Sequence, residues 1–199
     1  MILSPCQNRR QVIHTVRQID VIEATPDALR KYKAYEELLD GRRILVRAIR
    51  PGDKRALKDG FHRLSRESAS FRFLQPKHDL TEKELVYFTE IDFDQHVALV
   101  AELMDGQILV GVGRYIVCET EPTRAAEIAF TVDEAHHGLG IATILLHHLA
   151  QIGRAADISE FRANVLADNR KMLEVLTRCG LRQSRSTARG VIDVRLFLR

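Results

Sequence analysis

The run from Ala126 to Leu166 constrains the fold more than any other part of this chain. AEIAFTVD (126–133) carries apolar residues on both faces, the mark of a strand inside a sheet. HHGLGIATILLHHLAQIGRAAD (136–157) opens on glycines and then sets Ile141, Leu145, Leu149 and Ile152 on one helical face. EFRANVL (160–166) follows as a second strand. Strand, helix and strand in this order close as a right-handed crossover between parallel neighbours. Everything else has to fit around that unit.

The flanking elements read as mostly antiparallel. RRILVRAIR (42–50) is a strand closed by Pro51, and residues 52–64 are a helix burying Ala56, Leu57, Phe61 and Leu64. Residues 65–76 are a short helix or turn. Thr81 and Glu84 form a capping box for a helix running towards Thr89. VALVAEL (97–103) and ILVGVGRYIVCE (108–119) are strands joined over Asp105-Gly106, a strong hairpin signal. After the crossover, Asp168 is the expected N-cap of a helix to Cys179, with Gly180 just past its end. Residues 181–187 and 191–198 form a final hairpin over Arg189-Gly190. Near the start, residues 10–23 fit strand or helix equally. Thr25-Pro26-Asp27 starts a helix expected to reach Leu39 and stop at Asp40-Gly41. Residues 1–40 therefore read as an added element. The apolar side of that helix (Leu29, Tyr32, Leu38, Leu39) would pack on the core, or on a second copy of the chain to make a homodimer.

Composition narrows the function classes. At 199 residues and 45% apolar content the chain can bury a core without metal or disulfide staples. A net charge of +3 is too mild to argue for nucleic acid. No apolar run approaches the ~20 residues of a membrane span, and MILSPCQNRRQ turns polar too early for a secretory signal. Three widely spaced cysteines make no disulfide framework, so a cytoplasmic protein without membrane attachment is expected.

Gly138-Leu139-Gly140 sits where a central strand turns into a helix. Such a turn offers unpaired amides at the positive end of the helix dipole, a site for phosphate or pyrophosphate. A dinucleotide fingerprint would need a third glycine where Thr143 stands, and no Gly-Lys-Ser/Thr tripeptide makes a Walker loop. A tight turn with no ligand explains the spacing equally well.

His137-Gly138-Leu139-Gly140-Ile141-Ala142 resembles the acyl-CoA motif of the GNAT N-acetyltransferases, Gln/Arg-x-x-Gly-x-Gly/Ala. Asn169, with the helix ending in Cys179-Gly180-Leu181, is similar to that family's next segment. GRRILVRAIRPGD, RLSRESASFRFL, DQHVALVAE, VGVGRY and AEIAF extend the resemblance back to about Gly41, and together are closest to bacterial Pat-type lysine acetyltransferases. The resemblance implies an acetyltransferase domain over 41–199, with a twisted, mostly antiparallel seven-stranded mixed sheet and helices on both faces. It implies acetyl-CoA as cosubstrate and no metal. The cofactor contacts it implies are Phe130, Thr131 and Val132 on the strand, His137, Gly138, Leu139, Gly140, Ile141, Ala142 and Thr143 at the turn, and Asn169 and Met172 beyond it. The acceptor it implies is a protein lysine, with a small-molecule amine as the alternative within enzymes. An acyl-CoA-binding regulatory module without turnover is the alternative outside them.

Two positions depart from the family. His137 replaces Gln or Arg, which a loop holding pyrophosphate through backbone amides should tolerate. Leu176 stands where many members have a tyrosine that reprotonates the leaving thiolate, so no general acid is assigned and water would serve.

Glu127 is the expected general base. A lysine amine, pKa ~10.4, is no nucleophile until it loses a proton. A carboxylate beside the thioester can take that proton directly or through one water. Apolar neighbours suggest that Glu127 is partly buried, and the glutamate base of Pat-type enzymes matches it. Taken without the resemblance, Glu127 would be read as pairing with a nearby arginine such as Arg114. The eight histidines show no metal-ligand spacing, and Cys118 and Cys179 read as small core residues. The C-terminal arginines (178, 182, 185, 189, 195, 199) read as a solvated face, with the CoA 3′-phosphate or an acidic partner as the alternative.

Overall fold

A computed structural model of the chain describes residues 23–73 and 77–199. The reading of residues 10–22 and of Cys6 lies outside them. Among the described residues eight strands form one sheet: β1 (Lys33–Glu37), β2 (Arg43–Ala48), β3 (His96–Leu103), β4 (Ile108–Glu119), β5 (Ala125–Val132), β6 (Glu160–Leu166), β7 (Arg182–Ala188) and β8 (Val191–Phe197). Their spatial order is β1-β2-β3-β4-β5-β6-β8-β7, and only β5 and β6 run parallel. The helices are α1 (Pro26–Arg30), α2 (Lys54–His62), α3 (Arg66–Phe73), α4 (Glu82–Thr89), α5 (Ile141–Ala155) and α6 (Arg170–Arg178).

The expected seven-stranded sheet gains its eighth strand from the N-terminal element. The helix started by Thr25 ends at Arg30 rather than Leu39, and Lys33–Glu37 pairs antiparallel with β2. Leu29 and Leu38 lie in the same core as the rest of the sheet. Tertiary pairing overrides local helix preference here, because KAYEE completes the sheet edge along β2. The N-cap of α6 is also corrected. Asn169 Oδ1, not Asp168, accepts the Met172 amide at 3.2 Å. A third correction concerns Cys118, which is exposed although Cys179 is buried.

Alternation along β4 sorts the two faces. Gly111 and Gly113 face α5, and a Cβ at Gly111 would stand 2.7 Å from Ile141 Cγ2. Their lack of side chains lets the helix settle close against the sheet. Val112, Arg114 and Ile116 face the other way, where Phe88 of α4 covers Arg114. A buried ion network joins that side to the sheet. Arg47 grips Asp53 through two bonds of 2.8 Å and reaches Glu102 at 2.8 Å.

If β1 belongs to the core, Leu29→Ala should cost about 2–5 kcal/mol of unfolding free energy, the usual range for a buried leucine. Urea unfolding would check it. A cost below about 0.5 kcal/mol would mark the N-terminal element as a loosely attached appendage.

Candidate active site

β5 and β6 stay together for three residues only. Ala125, Ala126 and Glu127 pair with Glu160, Phe161 and Arg162, and beyond that point the strands part. β5 meanwhile stays paired with β4 as far as Val132. The Asp133 amide donates to the Val110 carbonyl at 2.9 Å, which sets the alternation. Residues 127, 129 and 131 turn their backbone groups to β4, while 130 and 132 turn theirs into the gap that β6 has left; the Ile128 amide still serves the Glu127–Arg162 pair. Of the three expected backbone contacts, Phe130 and Val132 thus face the gap. The Thr131 backbone turns to β4 instead. Sequence reading could not settle this, because a one-residue shift of register exchanges the two sets.

The gap leads to the turn before α5. Gly138 (φ +79°) and Gly140 (φ +90°) both adopt left-handed backbone, and Gly140 is the N-cap of α5. Left-handed residues alternating with ordinary ones turn successive amides inward, into a concavity suited to an anion. Leu139, Gly140, Ile141, Ala142 and Thr143 therefore stand together at the helix start, with Ile141 buried under the turn. Three contacts hold the turn in place. The Leu39 amide donates to the Leu139 carbonyl at 3.3 Å. The His137 Nε2–H donates to the Val132 carbonyl at 3.0 Å, so its Nδ1 is left to accept from Lys171 at 3.1 Å. Glu134 Oε1 accepts from the Ser65 amide at 2.9 Å and the Ser68 hydroxyl at 2.6 Å, which drive its carboxyl down to about 2.

Lys171 is a residue that sequence reading missed. It follows the N-cap of α6 by two positions, and only the fold brings its ammonium beside His137. Asn169 is committed to capping α6, and Met172 packs half-buried against the core. Leu176 is fully buried and has no proton to give.

Glu127 stands at the branch point where β6 leaves. Contrary to expectation it is exposed, and among the described residues its carboxylate has no hydrogen bond or ion pair. Arg114 is engaged elsewhere, and Arg162, opposite Glu127 in the register, is held by Glu119 and Glu160. Cys118 is near enough for Glu127 to add to the burial effect that raises its thiol above the usual range. A thiol held up is a poor nucleophile at neutral pH. Among the described residues no three His, Cys, Asp or Glu side chains are grouped to hold a metal, and no helix is long and apolar enough to cross a membrane.

A mixed sheet opened between two parallel strands, with a glycine turn at the head of the crossover helix, defines an acyl-CoA-dependent N-acetyltransferase fold. The chain belongs to the acetyltransferase (GNAT) family, whose model matches residues 59–181. It is 31% identical to the acetyltransferase PA5475 of Pseudomonas aeruginosa, over 73% of this chain and 78% of that one. It is 30% identical to the acetyltransferase Pat of Mycolicibacterium smegmatis over 70% of its own length, but spans only 41% of that protein. The solved GNAT domain of S. lividans PAT superposes with a TM-score of 0.77 at 34% identity, covering 83% of this chain and 96% of that domain.

Two outcomes test the turn. Gly140→Asp should leave a folded protein that binds acetyl-CoA at least tenfold more weakly by calorimetry, because a carboxylate would stand where the pyrophosphate approaches. Undiminished affinity would remove the turn from the binding site. Because the Glu134 carboxyl is held below its ordinary value, the stability it adds should be complete above about pH 5 and fade as the pH falls towards about 2. Denaturant unfolding of wild type and Glu134→Gln should therefore differ at pH 7 and converge near pH 2.

Proposed function

We propose that this chain transfers an acetyl group from acetyl-CoA directly to an amine, the leading acceptor being a protein lysine side chain. The observation that carries this reading is the position of Glu127, an unpaired carboxylate at the point where β5 and β6 part. A pantetheine arm entering from the glycine turn would lie along the gap, hydrogen-bonded to the backbone groups that Phe130 turns into it. Its thioester would then arrive beside Glu127. The helix-start amides at Gly138 to Thr143 would hold the pyrophosphate, with Lys171 adding a cation at their edge.

In the step itself, Glu127 takes a proton from the acceptor ammonium, directly or through one water. The freed amine nitrogen attacks the thioester carbonyl carbon, and the negative charge moves to the carbonyl oxygen. A backbone amide in the gap stabilises that oxyanion, typically by about 3 kcal/mol. The intermediate then gives its second nitrogen proton to water, and its collapse breaks the carbon–sulfur bond. The CoA thiolate leaves and takes its proton from water, since Leu176 offers none. Transfer without an acyl-enzyme is favoured because the nearby Cys118 thiol is held up rather than activated. The likeness to Pat proteins supports lysine as acceptor. A cytoplasmic setting agrees with the free thiols of Cys118 and Cys179.

Glu127→Gln keeps the shape of the side chain and removes the proton acceptor. Acetyl-CoA affinity should stay within a few fold while turnover at pH 7 drops by about 10²–10⁴, the usual worth of a positioned base. The variant should recover towards pH 10, where free amine accumulates without help. Rates across about pH 6 to 10 at saturating acetyl-CoA would check this. A near wild-type rate at pH 7 would take Glu127 out of the mechanism.

A further inference from the structure

On the face of β5 that carries Glu127, a cleft of about 60 Å³ lies between the sheet and helices α2 to α4. Its walls are apolar, with Phe61 and Phe88 prominent, yet three arginines line it: Arg63, Arg72 and Arg114. Arg63 at the rim is balanced by Asp133, which it meets at 2.5 Å. Arg114 is not balanced. The residue as a whole is 4% exposed, and its side-chain hydrogen bonds all come from Nη1, to His96 Nε2 at 3.0 Å and the Phe88 carbonyl at 3.4 Å. Phe88 also covers one face of the guanidinium, at 4.5 Å from the ring centre.

None of these partners is an anion. Accepting from Arg114 requires a bare Nε2 on His96, so that imidazole is neutral, and burial together with Arg114 pushes it down to about 4. Burial and the nearby Arg72 also press Arg114 itself down to about 9. Among the described residues no carboxylate lies within ion-pair reach of Arg114, and its Nε and Nη2 make no hydrogen bond. Those two nitrogens form the side of the guanidinium that meets a carboxylate through two parallel bonds. A buried cation left without a counterion is costly, and a second guanidinium close by raises the cost. An arriving anion would remove it.

We propose that this cleft binds a carboxylate of the acetyl acceptor through the Nε–Nη2 edge of Arg114, with Arg72 alongside. The proposal deepens the transferase reading and rests on it. Arg114 is directly opposite Ala129 in the sheet, and Glu127 is two residues further along the same face. Diagonal positions of this kind are about 7–8 Å apart. An acceptor that reaches both carries its amine and its carboxylate several bonds apart. An ω-amino acid meets that description, and so does a peptide whose lysine has an acidic neighbour. Polyamines do not, since the one carboxylate lining the cleft is the Asp133 already paired with Arg63.

Matched acceptors separate the outcomes. With wild-type protein and saturating acetyl-CoA, 6-aminohexanoate should show a KM at least tenfold below that of hexylamine, with kcat within about threefold. A peptide pairing lysine with glutamate should outperform its glutamine counterpart by a similar factor. Preference in the free pair, the peptide pair or both identifies the source of the carboxylate. In Arg114→Gln the preference should collapse. Should that variant not fold, calorimetry of the wild type with CoA still reads the same selectivity, because 6-acetamidohexanoate should bind at least tenfold tighter than N-hexylacetamide. Equal binding of the two amides, or binding of neither, overturns the carboxylate site. Acetylation of both members of each pair at equal rates also overturns it, but leaves the transferase reading standing. Selective binding of the carboxylate amide with no acetylation of any amine supports the site and overturns the transferase reading instead.

Discussion

The molecule is organised by a failure of pairing. β5 and β6 are parallel neighbours joined by α5, yet they separate after Glu127 and Arg162. Backbone groups inside a fold require partners, and those of Phe130 and Val132 face a gap where a strand would otherwise be. One of them, the Val132 carbonyl, is met by His137. The others present the open edge that a further strand would pair with. The same separation places the glycine turn at one end of the gap and a lone carboxylate at the other. The glycine turn and the lone carboxylate are the two ends of one defect in the sheet.

The crossover, the hairpins, the Thr81 capping box and the position of the glycine turn were all legible in the sequence, because each rests on local chemistry: periodicity, caps and turn residues. What was not legible depends on partners distant in the chain. KAYEE carries no strong strand signal, and only the edge of β2 makes it β1. The direction of the Thr131 backbone follows from register with β4, which no single strand contains. Lys171 and Arg114 were ordinary basic residues until the fold set one beside His137 and enclosed the other under Phe88. Glu127 was singled out for its chemistry and by resemblance, whereas its exposure was missed because apolar neighbours along a strand do not report what covers the strand.

The crossover helix is held at its start and at its middle. At its start Gly111 lets Ile141 approach the sheet. At its middle the fully buried His148 bridges Tyr32 at 2.5 Å and Glu36 at 3.1 Å. Burial raises the Tyr32 hydroxyl well above its ordinary range, so it remains a donor to His148 at any physiological pH. The imidazole Nε2 is then the side that faces Glu36. β1, on the sheet edge, is in this way tied to the helix that the glycine turn opens.

Seen as entropy, that turn is the least forgiving part of the chain. Glycine loses more conformational freedom on folding than any other residue, and Gly138 and Gly140 are both confined to one small region of it. Neither has a side chain with which to secure itself. Order has to be imposed by Leu39, by the serines at the start of α3 and by Lys171 of α6, three segments that are remote from one another in sequence. Losing any one of these ties would leave every amide present and widen the range of directions in which they point. The turn would keep its composition and lose its aim.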